Sequence, residues 1–173
     1  MNTRLPLNIV LLGLLVSTLL GLSAEAQQSA TVPSLVGTWK LVSCDSHFED
    51  GKVAPSLGSD PIGQLMYDAN GRMSVHLMRR DRAAFASSDL RGATPQEAKA
   101  VFDAHQSYYG SYTLDLVAGV VSHHIEGGSF PNWTGTTQKR FFKLEGKKLS
   151  LSTPPISIEG KQVRVFLIWE RMN

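Results

Sequence analysis

From Leu35 onward the chain is written in short runs that alternate apolar and polar residues, cut by turn residues. The clearest run closes the chain. In Gln162–Arg171 (QVRVFLIWER), Val163, Val165, Leu167, Trp169 and Arg171 share one parity, and Arg164, Phe166, Ile168 and Glu170 share the other. A period of two belongs to a β-strand with one buried face. Ile62–Tyr67 and Arg72–Arg79 flank Asp68-Ala69-Asn70-Gly71, and Asn-Gly between apolar runs predicts a hairpin because both residues accept positive φ. Gly135–Leu144 and Lys148–Ser152 flank a second tight turn, Glu145-Gly146-Lys147. With Leu35–Cys44, Tyr108–Leu114 and Val120–Glu126 the expected strands number eight. The polar stretch Asp45–Asp60, with Gly51, Pro55 and Gly58, is expected to be a long loop.

One segment breaks the period. Thr94-Pro95-Gln96-Glu97 is a capping box with proline at the first helical position. Ala98, Val101, Phe102 and His105 follow at helical spacing, which predicts one short helix between the third and fourth strands. Eight consecutive antiparallel strands leave two open edges unless the sheet closes on itself. The expected fold is therefore all-β: an eight-stranded antiparallel up-and-down β-barrel, with a two-sheet sandwich as the alternative. A barrel of eight strands has an interior that side chains fill or that holds one small ligand.

The N-terminus predicts export. Arg4, the apolar run Leu5–Leu22 and Ser23-Ala24-Glu25-Ala26 follow the order of a secretory signal peptide, with a cleavage pattern of small residues. Residues 1–26 are read as the signal peptide, 27–34 as a linker and 35–173 as the barrel domain, placing the mature protein in the periplasm or outside the cell. The leader contains one Arg and one Glu, so the net charge of +2 survives its removal. No long basic run interleaved with aromatics is present, which argues against nucleic acid as a partner. A single cysteine, Cys44, cannot form an internal disulfide, so packing must hold the fold. Cys44 is read as a small buried residue rather than a nucleophile.

Parity also places the candidate site. In Gly135–Leu144, Lys139 and Lys143 mark the outer set, which turns Gln138, Arg140, Phe142 and Leu144 inward. His123 and His124 are neighbours on one strand and must point to opposite faces. Val121 and Ile125 put His123 on the inner face, whereas Ser122 and Glu126 put His124 on the outer one. Two histidines that diverge cannot ligate one metal, and His47, His76 and His105 lie on separate segments, so no metal or other cofactor is expected. His123 is expected beside Arg140 or Tyr112, as a core histidine bonded to a tyrosine or carbonyl, or as a catalytic base. Trp133, in the turn Gly127–Trp133, either lids the barrel mouth or covers the core edge. Asn132-Trp133-Thr134 matches an N-glycosylation sequon, used only in a eukaryotic secretory host.

Gly37-Thr38-Trp39 resembles the G-x-W motif of lipocalins, in which the tryptophan closes one barrel end under an arginine from the last strand. Trp39 and Arg171 match those positions. The wider series LVGTWKLVS, IGQLMYDANGRMSV, YYGSYTLD, HHIEGGSFPNWTGTTQKRFF, LEGKKLSLSTPP and IWERM resembles the bacterial and fungal lipocalin-like domain family across residues 35–172. The resemblance implies a small calycin-type barrel; the chain departs from secreted lipocalins in lacking their disulfide. Barrels of this kind carry hydrophobic molecules, and some are isomerases or cyclases.

Three functions follow for test. The first is an exported carrier of a hydrophobic or amphipathic small molecule, anionic ones included, held by Tyr112, His123, Trp133, Gln138 and Arg140. The second is a barrel isomerase or cyclase with His123 as acid–base and Arg140 as electrostatic stabiliser. The third is an interaction role, with Phe166 and Ile168 on the outer face of the last strand either packing under the helix or joining two copies, so that the protein is a monomer or a homodimer.

Overall fold

The computed structural model describes residues 34–173; the expected signal peptide and nearly all of the expected linker lie outside the described residues. Ten strands appear: β1 (Gly37–Phe48), β2 (Val53–Pro55), β3 (Pro61–Tyr67), β4 (Arg72–Arg79), β5 (His105–Asp115), β6 (Val120–Gly128), β7 (Thr137–Glu145), β8 (Lys148–Ser152), β9 (Ile156–Ile158) and β10 (Lys161–Arg171). Eight of them close a barrel in the order β1-β3-β4-β5-β6-β7-β8-β10, and β10 returns to pair antiparallel with β1. Trp39 faces Arg171 and Phe48 faces Val163 across that seam. No sandwich forms.

The two seam strands overrun their neighbours. β3 pairs with β1 only at Gly37–Lys40, and β8 pairs with β10 only at Phe166–Glu170. The exposed halves of β1 and β10 are covered by β2, at Asp45–His47, and by β9, at Lys161–Val163. A bare edge invites pairing with another chain, so each short strand caps one. This is why the expected loop Asp45–Asp60 contains the end of β1 and all of β2. The extra strand also corrects the helix position: α1 (Pro95–Asp103) lies after β4 and before β5, not between the third and fourth strands.

α1 starts as its sequence requires. The Thr94 hydroxyl accepts from the Glu97 backbone N–H at 3.3 Å, and the Glu97 carboxylate accepts from the Thr94 N–H at 2.8 Å. Its packing differs from the helical spacing. No residue of α1 is buried, and His105 is the first residue of β5. The helix stops at Ala104, which is buried, and α1 packs on β5 rather than over Phe166 and Ile168 of β10.

The strand parities of β6, β7 and β10 hold: Val121, His123, Ile125, Arg140, Val163, Val165, Leu167 and Trp169 are buried. β1 is different. Trp39 and Leu41 point inward, then a bulge between Leu41 and Ser43 flips the parity, so Cys44 and Ser46 are the next inward residues. One extra residue in a strand reverses every side chain after it.

Candidate functional site

The two ends of the barrel differ in construction. At the first, Trp39 is fully buried and its indole N–H donates to Leu35 O at 2.9 Å. The Arg171 guanidinium lies over the Trp39 ring, 4.1 Å from its centre, and donates to the carbonyls of Val36 (2.5 Å) and Ser34 (2.8 Å). Gly37 explains itself here. Its φ is +139°, and a Cβ would stand 2.5 Å from an Arg171 nitrogen. The glycine of the Gly-x-Trp pattern is the gap through which the arginine reaches its carbonyls.

Towards the other end the barrel is hollow. A cavity of about 720 Å³ is walled by aliphatic side chains, among them Leu65, Val75, Leu77, Leu151 and Leu167, and by Trp169. Its mouth is bordered by Phe48 and Ala54–Leu57 on one side, Phe102 and Asp103 of α1 on another, and Phe130 and Trp133 of a 3-10 turn (Pro131–Trp133) on a third. Trp133 therefore lines the mouth. It meets Tyr108 edge-on at 5.6 Å and Phe130 edge-on at 5.9 Å.

Polar groups gather on the β5–β6–β7 wall. Arg140 is only 6% exposed. One guanidinium nitrogen donates to the neighbouring Lys139 carbonyl at 2.8 Å, and the group lies 5.9 Å from the Trp133 ring centre. Among the described residues Arg140 forms no ion pair; those that form are all on the exposed surface. A buried guanidinium without a carboxylate is costly, and its unused N–H groups call for an acceptor. Gln138, two residues before it, also lines the cavity and donates to Thr136 Oγ1 at 3.1 Å.

His123 is held on both sides. Tyr67 Oη stands 2.6 Å from Nε2 and Tyr108 Oη 3.1 Å from Nδ1. Burial, then the positive charge of Arg140, then that of His124, pull its pKa from 6.5 to about 3. The imidazole is therefore neutral, and neither ring nitrogen is free to exchange a proton with a bound molecule. That geometry suits the reading of a core histidine bonded to tyrosine. Its tyrosine partners are not the expected one. Tyr112 stands opposite His123 in the strand register, yet its hydroxyl donates to Asp68 O at 2.9 Å and its ring packs on Tyr67 at 4.7 Å. It does not line the cavity, because the turn after β3 draws its hydroxyl towards the closed end.

His124 points the other way, between the hydroxyls of Thr113 and Thr137, each 3.0 Å from a ring nitrogen. Among the described residues no three His, Cys, Asp or Glu side chains converge on a metal position.

Sequence reasoning passed over Tyr67, Tyr108, Ser46 and Thr153, and it read Cys44 as buried, as it is, without placing it at the cavity. Tyr108 shares strand parity with Tyr112, a signal present in the chain. Ser46 was hidden by the β1 bulge. Thr153 follows the end of β8, where its hydroxyl accepts from Val165 N at 3.0 Å.

Residues 36–172 match the family model of the lipocalin-like domain, which spans the whole barrel. The chain belongs to the lipocalin-like domain family. Over 107 residues it is also 32% identical to the 4'-hydroxy-3'-methoxypropiophenone carrier protein ppsC of Aspergillus oryzae, a match covering 58% of this chain and 96% of that protein. A family fold does not specify cargo; that lies with the cavity wall of this lipocalin-like chain.

Proposed function

We propose that this protein is an exported carrier that binds one small amphipathic molecule inside its barrel. The observation that carries this reading is the hollow of about 720 Å³ with a buried guanidinium that, among the described residues, forms no ion pair. The volume lies in the range of small-molecule sites, and the wall follows their pattern of apolar surface with few polar groups. Arg140 selects a ligand with an acceptor or anionic oxygen, since a guanidinium forks onto such a group. Trp133, Tyr108 and Phe130 offer aromatic edges to a planar body. Gln138 and the His123 ring complete the polar wall. The similarity to a carrier of a hydroxy-methoxy-phenyl ketone supports a ligand of this size and polarity.

The experiment is calorimetric titration of the purified barrel with 4'-hydroxy-3'-methoxypropiophenone, alongside native mass spectrometry of the protein as isolated. Saturable one-to-one binding, or a small molecule released on denaturation, supports the carrier. A protein that arrives empty and gives no heat with the ketone or with a panel of aryl and alkyl acids would sink it. Sequencing the N-terminus of protein recovered from the native host tests export: processing after Ala26 is expected, and a retained leader overturns that part.

A further inference from the structure

Counting the protons in the Tyr67–His123–Tyr108 chain identifies a second ligand-facing group. A neutral imidazole has one N–H and one lone pair. One tyrosine must therefore donate to the ring and the other accept from it. The accepting tyrosine keeps its own hydroxyl proton, which then needs another partner.

The two tyrosines differ in where that spare proton would go. Tyr67 is 2% exposed, does not line the cavity, and among the described residues its hydroxyl has one hydrogen-bond partner, His123 Nε2. A spare proton there would be buried without an acceptor, a loss that folded proteins avoid. Tyr108 lines the cavity, so a spare proton on its hydroxyl can meet water or a ligand. The lengths agree. The Tyr67 contact, at 2.6 Å, is short, as expected of a hydroxyl donating to an imidazole lone pair, and the Tyr108 contact, at 3.1 Å, suits a ring N–H donating to oxygen. The chain thus runs Tyr67 O–H to Nε2, then Nδ1–H to Tyr108 Oη.

We infer that Tyr108 is a specificity-determining donor: Tyr67 fixes the His123 tautomer, and the tautomer turns the Tyr108 O–H into the cavity to meet a carbonyl or carboxylate oxygen of the ligand. This rests on the carrier reading and names the chemistry its cargo must present. Arg140 lines the same cavity and meets Trp133, which also packs on Tyr108, so a second donor flanks the first. Both tyrosine and arginine then reward an acceptor and leave a ligand without one at a disadvantage. Tyr67 and His123 are positioning residues.

Two measurements test it. The first is the ring tautomer in the unliganded, nitrogen-15-labelled protein, read from long-range proton–nitrogen correlations and assigned against His123→Gln. A proton on Nδ1 and a bare Nε2 are expected; a proton on Nε2 overturns the inference without reference to any ligand. The second compares 4'-hydroxy-3'-methoxypropiophenone with 2-methoxy-4-propylphenol, in which a CH2 replaces the carbonyl. Tyr108→Phe keeps the ring against Trp133 and should weaken the ketone about tenfold, the size of one lost hydrogen bond, while shifting the propylphenol less than about twofold. Equal losses on both compounds would show that the hydroxyl does not read the carbonyl, and no loss on either would reduce Tyr108 to packing; each result overturns its role as the donor to that oxygen. If the wild-type protein binds neither, the carrier reading fails for such phenols and the ligand half of the inference falls with it, while the tautomer is still decided by the first measurement.

Discussion

The closed end and the open half of this barrel are made from the same strands and solve opposite problems. Around Trp39 polar atoms find protein partners: the indole N–H has Leu35 O, and the Arg171 guanidinium has two carbonyls and an aromatic face. Around Arg140 the polar atoms outnumber their partners, and space is left between the walls. Two arginines on inward parity thus have different fates. Arg171 is satisfied by its own chain and locks the fold; Arg140 is left short and waits for something else. Stability and binding are separated along the barrel axis, so each can be broken alone.

The largest effect is expected at the closed end. Trp39→Ala removes a fully buried indole beneath a stacked guanidinium. Truncations of buried aromatics cost about 3–5 kcal/mol, and chemical denaturation should show a loss of that size. A loss below about 1 kcal/mol, the scale of a surface change, would mean that the closed end does not anchor the barrel.

The next effect lies between the ends and depends on pH. His123 is neutral in the fold with a pKa of about 3, below its ordinary 6.5. Between those values the unfolded chain binds a proton that the folded chain refuses. Stability from this group is complete above pH 6.5 and falls as pH drops, by about 1.4 kcal/mol per unit while the unfolded histidine is charged. Urea denaturation at pH 7 and pH 5 should show a loss of about 2 kcal/mol on acidification. Most of that dependence should be lost in His123→Gln, leaving the part due to His105, whose pKa burial also lowers, and it should persist in His124→Ala, since His124 sits on the outer face between two threonines. Equal pH slopes in wild type and His123→Gln would show that the imidazole is not kept neutral by burial.

These two sites also mark how far the chain could be read. Arg171, His123 and Arg140 were legible because β6, β7 and β10 keep an unbroken period of two around them and the hairpin turns pin their register; Trp39, on β1, was legible from the Gly37-Thr38-Trp39 pattern. The inward turn of Ser46 was not, because a bulge at Val42 and Ser43 leaves no local mark and inverts everything after it; Cys44 was read as buried from its residue type and not from parity. Nor were the partners of His123. Tyr67 lies 56 residues away in sequence and meets the imidazole only because the barrel closes. The helix misled for another reason: Val101, Phe102 and His105 have helical spacing, yet α1 serves the mouth and not the core, so its apolar side chains stay at least partly exposed. Local pattern decides faces; which opposing side chains meet is decided by closure.

At the open half, Arg140→Met should separate binding from stability. The substitution keeps an unbranched apolar stem and removes a buried charge without a carboxylate partner, which relieves the cost of holding that charge out of water. Denaturation should show no loss, or a gain of about 1 kcal/mol. Affinity for an acceptor-bearing ligand should fall by about tenfold or more, as expected for a lost hydrogen bond to a charged group. Arg140 is also one cause of the low His123 pKa, so the pH dependence of stability should shrink in the variant. A variant that loses stability but keeps affinity would reverse the division between the two ends and make Arg140 a structural residue like Arg171.

The smallest effect is expected at Cys44, where the two regions meet. Its side chain is buried and lines the cavity just past the β1 bulge. Burial, the largest cause, raises its pKa to about 11, and the Ser56 hydroxyl beside it offsets only part of that rise. At neutral pH the group is a thiol, a poor nucleophile. Cys44→Ser places a hydroxyl where Ser56 already offers a hydrogen-bond partner, so the usual cost of burying a polar group is largely avoided. A change in stability below about 1 kcal/mol is expected, with ligand affinity unaltered within about twofold, a difference of about 0.4 kcal/mol. The native thiol should react with an aromatic disulfide reagent far more slowly than the unfolded chain does. Rapid labelling of the folded protein, blocked by 4'-hydroxy-3'-methoxypropiophenone, would show instead that the cavity admits a reagent to the depth of Cys44 and that the wall there carries a usable thiolate. The boundary between the locked end and the open half would then lie nearer to Trp39 than the packing indicates.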